Sequence, residues 1–213
     1  MSPVTAVTVI DHPVLGHRLA QLRDRRTGSD SFRQLTSEVS GLLAYEALRD
    51  LGTDEVMVDT PVSVGVPVRR VNEVVLLVPI LRAGLGMVQA IQEIVPLTEV
   101  AHVGLRRDEA TLESEVYLNL LPRDLTGRRV MVCDPMLATG GSLGQVCGLV
   151  RERGAAEIVA LCILASEPGL AVFGGDHPGV RVYCAAVDRE LNDAGYIVPG
   201  LGDAGDRLFG PPD

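Results

Sequence analysis

The chain has 213 residues, of which 46% are hydrophobic, and it carries a formal net charge of −9. This length and composition predict one globular domain over residues 1–213, and the negative charge disfavours nucleic acid as a partner, because such binding depends on neutralising phosphates with cations. All 19 basic residues are arginine, which excludes a Walker-type phosphate loop and Schiff-base chemistry, since both need a lysine.

The chain carries no signal for a membrane or for export. The longest apolar candidate, residues 74–94, is interrupted by Arg82 and by glycines, whereas a membrane-spanning helix needs about 18 or more apolar residues. The N-terminal stretch has no basic residues ahead of an apolar run, so it is not typical of a secretory signal. We therefore expect a cytoplasmic protein without a membrane partner.

Neither the cysteines nor the histidines show the pattern of a metal site or a nucleophile. The cysteines are widely spaced, without a C-x-x-C pair, so buried apolar thiols are favoured over redox or zinc roles. The histidines lie in unrelated contexts, so structural or surface roles are favoured. These residues are Cys133, Cys147, Cys162, Cys184, His12, His17, His102 and His177.

The predicted elements begin with a long helix over residues 31–51, where apolar residues recur at helical spacing. Further on, runs rich in Val, Ile and Leu alternate with helical segments, and most lack polar alternation, as strands buried on both faces do. The predicted strands are residues 74–78, 100–105, 129–133, 158–164 and 180–185. The predicted helical segments are 86–94, 144–153 and a short turn near 169–173. The alternation predicts an α/β fold with a mostly parallel sheet flanked by helices on both faces.

Three segments depart from this alternation. Residues 106–121 have charged side chains on both sides of Thr111, which predicts an exposed β-hairpin arm. Residues 196–213 are rich in Gly, Pro and Asp, which predicts a structureless tail that is either disordered or functional. The charged cluster at residues 23–26 lies either at an interface or on a solvated surface, and the surface is favoured.

The strand at residues 129–133 runs into a segment that predicts a phosphate site. Its sequence is Asp134-Pro135-Met136-Leu137-Ala138-Thr139-Gly140-Gly141-Ser142. Ligands of open parallel sheets bind beyond the carboxyl ends of the strands, so Asp134 is expected to direct its carboxylate into that crevice. Gly140 and Gly141 let backbone N–H groups and a helix N-terminus converge on an anion, and Thr139 and Ser142 add hydroxyl donors. An ordinary glycine-rich turn explains only the glycines.

This nonapeptide resembles the 5-phospho-α-D-ribose 1-diphosphate (PRPP) motif of type I phosphoribosyltransferases, and its proline in second place is similar to the uracil-specific branch. Residues 32–35, 42–47, 79–87 and 195–206 also resemble uracil phosphoribosyltransferase segments. The resemblance extends from His12-Pro13 to Phe209. It implies a type I phosphoribosyltransferase fold with a hairpin arm and a C-terminal base-binding loop. The implied activity is a pentosyl transfer of pyrimidine salvage, which converts uracil and PRPP to UMP and diphosphate.

The resemblance also implies roles for individual residues. The catalytic candidates are Arg82, Asp134 and Asp203. The candidates for PRPP binding are Arg82, Arg107, Asp134, Pro135, Met136, Leu137, Ala138, Thr139, Gly140, Gly141, Ser142 and Asp203. The candidates for uracil binding, largely through backbone groups, are Ile197, Gly202, Asp203 and Ala204. Mg²⁺ is implied as the cofactor, carried by PRPP near Asp203 without a dedicated metal ligand.

Two features of the arm and of the loop at Arg82 follow from the same resemblance. Arg107 matches the second diphosphate-binding arginine of the family, which usually follows an aromatic residue. This chain has Arg106 there and Ser114 where a proline is usual, so Arg106 competes for the role, with Arg107 favoured from its position before Asp108-Glu109. The loop at Arg82 is expected to contain a non-proline cis peptide.

The resemblance further implies substrates and assembly. Uracil and PRPP are the implied small-molecule partners, and family members are commonly homodimers or larger assemblies, some of which respond to GTP. Alternatives are a transferase for another base, such as orotate or a purine, an RNA-binding regulator of a pyrimidine operon, and a non-catalytic nucleotide sensor.

Residues 200–205 also fit the pattern G-x-G-x-x-G of dinucleotide-binding proteins. That fingerprint needs a preceding strand, a following helix and an acidic residue about 20 positions further on, whereas the sequence ends at Asp213.

Overall fold

The computed structural model describes residues 5–95, 97–107 and 114–211. The helices are α1 Pro13–Arg23, α2 Ser29–Ala47, α3 Leu85–Ile94, α4 Gly141–Glu152, α5 Glu167–Asp176 and α6 Ala204–Phe209. The strands are β1 Val7–Val9, β2 Thr53–Thr60, β3 Ser63–Val71, β4 Val75–Leu81, β5 Thr98–Val100, β6 Val103–Arg107, β7 Ser114–Asn119, β8 Arg129–Cys133, β9 Met136–Leu137, β10 Glu157–Leu161, β11 Leu164–Ser166, β12 Arg181–Cys184, β13 Ala186–Asp188, β14 Glu190–Leu191 and β15 Ile197–Val198.

The centre of the fold is an eight-stranded sheet in the order β1-β12-β10-β8-β4-β6-β7, with β5 paired to β4. Its strand pairs are parallel except for β6 with β7. In the register of the sheet, Val130 of β8 lies opposite Ile158 on one side and Leu76 on the other. The predicted mostly parallel sheet is therefore confirmed, and β8 lies in its interior. Strand β8 leads to residues 138–142, which we call the phosphate turn because the sequence predicts a phosphate site there.

Successive residues of the central strands enter two different hydrophobic cores. In β8, Val130 and Val132 belong to one core, while Met131 and Cys133 belong to the other, which is the two-residue period of a strand. Helices α4 and α5 cover the first core, and α1, α2, α3 and α6 cover the second. Because both faces are covered by helices, the strands lack polar alternation, which is why they were recognisable in the sequence.

The segment near residues 169–173 and the C-terminal tail were both predicted wrongly. The predicted short turn is the ten-residue helix α5, whose N-cap Ser166 accepts a hydrogen bond from the backbone N–H of Gly169, so capping offsets the poor helix propensity of its glycines. The predicted structureless tail contains β15 and α6. Helix α6 begins after the N-cap Asp203 and buries Leu208.

Four N-terminal elements were not predicted: β1, α1, and the strands β2 and β3, which form an antiparallel hairpin. The hairpin forms a separate two-stranded sheet in which most residues are exposed, so no core imposes an apolar pattern on its sequence. The hairpin arm predicted at residues 106–121 is confirmed as β6 with β7, although β6 also belongs to the central sheet. The tip around Thr111 lies outside the described residues.

The cysteines are buried and free, as predicted. Burial raises the pKa of the Cys147 thiol to about 12, which makes it an inert apolar group at neutral pH. Across the part of the chain that the structure describes, the helices lack the combination of length and apolarity that crossing a bilayer requires.

Candidate active site

An open cleft of about 420 Å³ lies beyond the carboxyl end of β8. Three segments that are distant in the sequence form its walls: the loop after β4, the turn after β8 and the C-terminal segment. The lining residues are Ala83, Asp134, Met136, Ala138, Ala194, Gly195, Tyr196, Ile197, Gly202, Asp203, Ala204 and Gly205. The structure thus brings the predicted Asp134, Asp203 and uracil-binding positions to one cleft. It also adds residues to which the sequence assigned no role, namely Ala83, Ala194, Gly195, Tyr196 and Gly205.

The turn after β8 forms a second cavity of about 90 Å³ that shares Met136 and Ala138 with the cleft. Its remaining lining residues are Leu137, Thr139, Gly140, Ser142 and Leu143. Helix α4 begins at Gly141 directly after the N-cap Gly140, three residues earlier than predicted. The helix N-terminus and the residues that carry the two hydroxyls therefore meet at one small cavity, which is the arrangement that binds an anion.

Three members of the predicted PRPP motif are buried, namely Pro135, Leu137 and Gly140. Leu137 packs in the core beneath the turn. In addition, the Asp134 carboxylate accepts a hydrogen bond from the backbone N–H of Met136 at 3.3 Å. Pro135 and Leu137 can therefore serve a ligand through backbone groups and by fixing the turn.

Ser166, which the sequence analysis did not identify, holds this turn from below. Its buried hydroxyl donates to the carbonyl oxygen of Ala138 at 2.5 Å and accepts from the backbone N–H of Gly169 at 2.9 Å. One side chain thereby joins the turn to the N-terminus of α5. A Ser-x-Pro pattern before a helix was the available signal, since serine is a favoured N-cap and proline is favoured at the first helical positions.

The environment of Asp134 changes its acidity. Burial is the main cause that raises the pKa of this carboxyl to about 7, and the nearby carboxylate of Asp203 raises it further, against the hydrogen bond from Met136. A carboxyl group with such a pKa at the end of a buried strand is typical of a functional site.

The loop after β4 places Arg82 at the edge of the cleft. The Leu81–Arg82 peptide bond is cis, as expected for this loop. Gly84 packs against the end of β8, since a β-carbon on it would lie 2.3 Å from the carbonyl oxygen of Cys133. The Arg82 side chain is 46% exposed, and its Nη2 lies 3.1 Å from Oδ1 of Asp206.

Gly205 shows how close the three segments come. A β-carbon on Gly205 would lie 3.2 Å from Oδ1 of Asp203 and 3.8 Å from Nη2 of Arg82. The predicted catalytic residues Arg82, Asp134 and Asp203 thus border one cleft, with Arg82 at its rim.

We call residues 197–204 the base loop. It contains a cis Val198–Pro199 bond and glycines with positive φ at Gly200 and Gly202. Its strand β15 pairs antiparallel with β14, so the G-x-G-x-x-G pattern does not lie in a parallel strand–helix–strand unit. The dinucleotide interpretation is therefore excluded by the topology.

The preferred interpretation of the charged cluster at residues 23–26 is wrong for Arg23. Its guanidinium is bound to the buried carboxylate of Asp188 at 2.7 Å. Arg26 does lie on the surface, where its side chain is 86% exposed and pairs with Asp24. The difference arises because Arg23 is the last residue of α1 and faces the core side of the base loop.

On the arm, Arg106 lies opposite Glu115 in the register of β6 and β7. Their side chains form an exposed ion pair at 2.8 Å. Arg107 ends β6 opposite Ser114, and its side chain, to which the sequence assigned diphosphate binding, lies outside the described part. Arg106 therefore has a partner on the arm itself.

The cleft offers carboxylates to a metal ion carried by a substrate. Among residues 5–95, 97–107 and 114–211, no three His, Cys, Asp or Glu side chains form a metal-binding group. Asp134 and Asp203 nevertheless line the same cleft, close enough for one carboxylate to raise the pKa of the other. A pair of carboxylates supplemented by phosphate oxygens fits Mg²⁺, which keeps few protein ligands at nucleotide sites.

The parallel sheet with a phosphate turn after an interior strand has counterparts among solved structures. The purine phosphoribosyltransferase from Pyrococcus horikoshii Ot3 superposes with a TM-score of 0.50 and 15% identity, covering 73% of this chain and 84% of that chain. The fold is thus that of the type I phosphoribosyltransferases.

Proteins with higher sequence identity show to which family within this fold the chain belongs. The family model described as uracil phosphoribosyltransferase matches residues 9–211. The curated uracil phosphoribosyltransferase of Kineococcus radiotolerans is 51% identical over 207 residues, which are 96% of this chain and 98% of the relative. The solved AQ2163 protein from Aquifex aeolicus superposes with a TM-score of 0.90 at 35% identity, covering 96% of this chain and 98% of that chain. The chain belongs to the uracil phosphoribosyltransferase family.

Proposed function

We propose that this protein transfers the 5-phosphoribosyl group of PRPP to uracil, forming UMP and diphosphate. The observation that carries the proposal is the meeting of a phosphate turn, an aspartate pair and a glycine-rich base loop at one cleft. PRPP has a 5-phosphate, ribose hydroxyls and a diphosphate, so it needs several receptors, and each segment of the cleft supplies a different one.

Each part of the substrates has a proposed receptor. The turn at residues 138–142 receives the 5-phosphate on backbone N–H groups, on the N-terminus of α4 and on the hydroxyls of Thr139 and Ser142. Asp134 accepts hydrogen bonds from the ribose hydroxyls. Arg82 binds the diphosphate from the rim, with Arg107 of the arm as the second cation.

The base loop receives uracil. A planar base with alternating donors and acceptors can be recognised by backbone N–H and C=O groups, which glycines expose edge-on. Ile197, Gly202 and Ala204 line the cleft and are the proposed contacts, with Asp203 between the base and PRPP. Such a site discriminates against bases whose donors and acceptors are reversed.

The chemistry needs no protein nucleophile. A ring nitrogen of uracil attacks the anomeric carbon as the bond between that carbon and the diphosphate oxygen breaks, and positive charge develops transiently on the ribose ring. The proton of the attacking nitrogen is released to water or to the departing diphosphate. The protein positions the two reactants, which is worth roughly 7–11 kcal/mol in favourable systems, and Arg82 stabilises the negative charge of the leaving group. Exclusion of water from the cleft would protect PRPP from hydrolysis.

Magnesium enters this proposal with PRPP. Asp203 and Asp134, which line the same cleft, would hold the ion, which neutralises part of the diphosphate charge when bound. The protein's own contribution is the orientation of these two carboxylates toward the cleft.

The deciding experiment is to incubate the protein with uracil and PRPP, with and without Mg²⁺, and to measure UMP and diphosphate. We expect both products in equal amounts, formed only with Mg²⁺. Parallel reactions with orotate, hypoxanthine and adenine test other bases, and product from one of them but none from uracil would refute the proposal. PRPP binding without diphosphate release would indicate a sensor, and a gel shift with a pyrimidine-operon leader transcript would indicate a regulator.

We further propose that the protein is a cytoplasmic homo-oligomer. Free buried thiols fit a reducing compartment. The β2–β3 hairpin exposes Val62 and Val64 to 94% and 82%, and an isolated two-stranded hairpin is marginally stable in water, so a second copy would stabilise it.

GTP, which activates some family members, is tested by adding it to the same assay.

A further inference from the structure

An ion pair between the half-buried Arg23 and the buried Asp188 lies directly behind the base loop. Asp188 is the last residue of β13, and its side chain is 8% exposed. Arg23, the last residue of α1, donates from Nη1 to Oδ2 and from Nη2 to Oδ1 of Asp188, each at 2.7 Å. This two-point geometry is the strong form of an arginine–carboxylate contact and fixes the orientation of both groups.

The pair holds both backbone polar groups of Gly200. The N–H of Gly200 donates to Oδ2 of Asp188 at 3.0 Å, and its carbonyl oxygen accepts from Nη1 of Arg23 at 2.9 Å. The chain doubles back at this point, because Gly200 has φ 58° and a β-carbon on it would lie 2.1 Å from the carbonyl oxygen of Ile197. The course of the base loop is therefore set from the side that faces away from the cleft.

Gly200 stands between residues that do line the cleft. Ile197 precedes it by three positions and Gly202 follows by two, whereas neither Arg23 nor Asp188 lines the cleft. Arg207 supports the next residue: its Nη1 donates to the carbonyl oxygen of Leu201 at 2.9 Å. A shift at Gly200 would thus move the backbone groups that meet the ligand.

We propose that Arg23 and Asp188 are positioning residues that set the geometry of the base loop and, through Gly200, determine the affinity for uracil without touching it. This inference rests on the proposed function, in which the base loop binds uracil. Most groups proposed for PRPP, namely Arg82, Arg107, Asp134 and residues 138–142, belong to other elements. Asp203 lies at the end of the base loop, where the backbone N–H of Asp206 donates to its carboxylate at 2.8 Å and holds it independently of the pair. The pair should therefore affect the base far more than PRPP.

The most informative variant is Arg23→Lys, which keeps the charge but replaces the planar fork by a single ammonium group that cannot reproduce the two parallel hydrogen bonds to Asp188. Asp188→Asn is the complementary change, since it keeps an acceptor for the Gly200 N–H but removes the charge. Arg26→Lys is the matched control, because Arg26 lies three residues away on the surface and pairs only with Asp24 among the described residues.

The readout is the KM for each substrate, together with direct calorimetric binding of PRPP and the thermal unfolding midpoint. We expect Arg23→Lys and Asp188→Asn to raise the KM for uracil on the order of tenfold, since small misplacements of a site have effects of this size or larger. The KM and the Kd for PRPP should stay within about twofold, and Arg26→Lys should match the wild type. A purely structural role predicts instead that both KM values move together or that only the midpoint falls.

The outcomes separate the two proposals. If the wild-type protein forms no UMP, the proposed function fails and the inference falls with it. If it forms UMP but the folded variants keep the uracil KM, or raise both KM values equally, the inference alone is wrong. If Asp188→Asn does not fold, Arg23→Lys decides by the same comparison.

Discussion

Arg82 and Asp206 form an ion pair of 3.1 Å that joins the loop after β4 to helix α6. Both side chains are more than 40% exposed, so the pair contributes about 0–1 kcal/mol to stability. The proposed role of Arg82 is toward the diphosphate, and Asp206 is its ion-pair partner within the protein. Catalytic and structural effects at this position are therefore separable.

We predict that Arg82→Ala lowers kcat/KM for PRPP by about 100-fold or more, the size of loss seen when one charge-stabilising donor is removed from an active site. Asp206→Asn should keep most of the activity, because it removes only the competing partner. Arg49→Ala is the control, since Arg49 is an exposed, ion-paired arginine distant in sequence from the cleft residues. Unchanged kinetics in Arg82→Ala, at an unchanged unfolding midpoint, would remove Arg82 from the diphosphate site.

The two arginines of the arm are predicted to differ. Arg106 is engaged with Glu115 across the hairpin at 2.8 Å, so Arg106→Ala should change the KM for PRPP less than about threefold, as expected for an exposed ion pair. Arg107→Ala should raise it more than about tenfold, because a charge-assisted contact to the diphosphate is lost. Steady-state kinetics of both variants at fixed Mg²⁺ decide between them, and the reverse order of effects would assign the role to Arg106.

The parts of the fold that were predictable are those in which a core imposes a pattern on the sequence. The strand at residues 129–133 has apolar residues directed into two helix-covered cores, and this continuous apolar run indicated a buried parallel strand. The hairpin of β2 and β3 has no core of its own, so its sequence carried no such pattern. Helix α5 was underestimated because its stability depends on the cap at Ser166 rather than on apolar periodicity.

The residues of the site also divide into those that the sequence could predict and those that it could not. Asp134, the phosphate turn and Gly202 to Ala204 were identifiable because their residue types are bound to local backbone geometry or to a family motif. Ser166 and the Arg23–Asp188 pair were not, because their partners are distant in the chain: Ser166 is 28 residues from Ala138, and Arg23 is 165 residues from Asp188. Only the fold shows that Arg23 lies behind the base loop.

Ser166 is predicted to be required for a fixed phosphate turn. Ser166→Ala leaves the carbonyl of Ala138 and the N–H of Gly169 without their buried partner, which should destabilise the protein by about 1–3 kcal/mol. We also expect a higher KM for PRPP and little change in the KM for uracil, because the turn belongs to the phosphate side of the cleft. Urea unfolding and steady-state kinetics measure these effects. Ser166→Thr keeps the hydroxyl, so it should retain most of the stability and most of the affinity for PRPP. A loss of either in this variant would argue against the hydrogen bond as the cause.

The exposed valines of the β2–β3 hairpin are predicted to mediate self-association. The double substitution Val62→Asp with Val64→Asp places charges on the apolar surface and should lower the molar mass measured by light scattering after gel filtration. Val172→Asp is the control, since Val172 is an exposed valine on α5. The same mass for the double variant and the wild type would place the interface elsewhere, and a monomeric wild-type protein would refute the assembly.

The raised pKa of Asp134 predicts a pH-dependent stability. Burial raises this pKa from 3.8 to about 7, so the folded protein binds a proton in a range where the unfolded chain has released it. The resulting stabilisation is complete below about pH 4 and is lost as the pH rises through about 7. Asp134→Asn removes this titration. Each pKa unit corresponds to about 1.4 kcal/mol, so the free energy of unfolding of the variant, relative to the wild type, should rise by roughly 2–4 kcal/mol between pH 4 and pH 8.

The same proton should oppose PRPP, because the ribose hydroxyls donate to the ionised carboxylate of Asp134. We expect the Kd for PRPP to rise as the pH falls below about 7, with proton release on binding near neutral pH. The phosphates of PRPP titrate in a similar range, so the variant Asp134→Asn serves as the control. This variant should bind PRPP more weakly at pH 8, and its Kd should lack the part of the pH dependence that comes from Asp134. Calorimetry in two buffers of different ionisation enthalpy measures the released protons. Equal proton release by the wild type and the variant would show that PRPP does not bind the ionised form of Asp134.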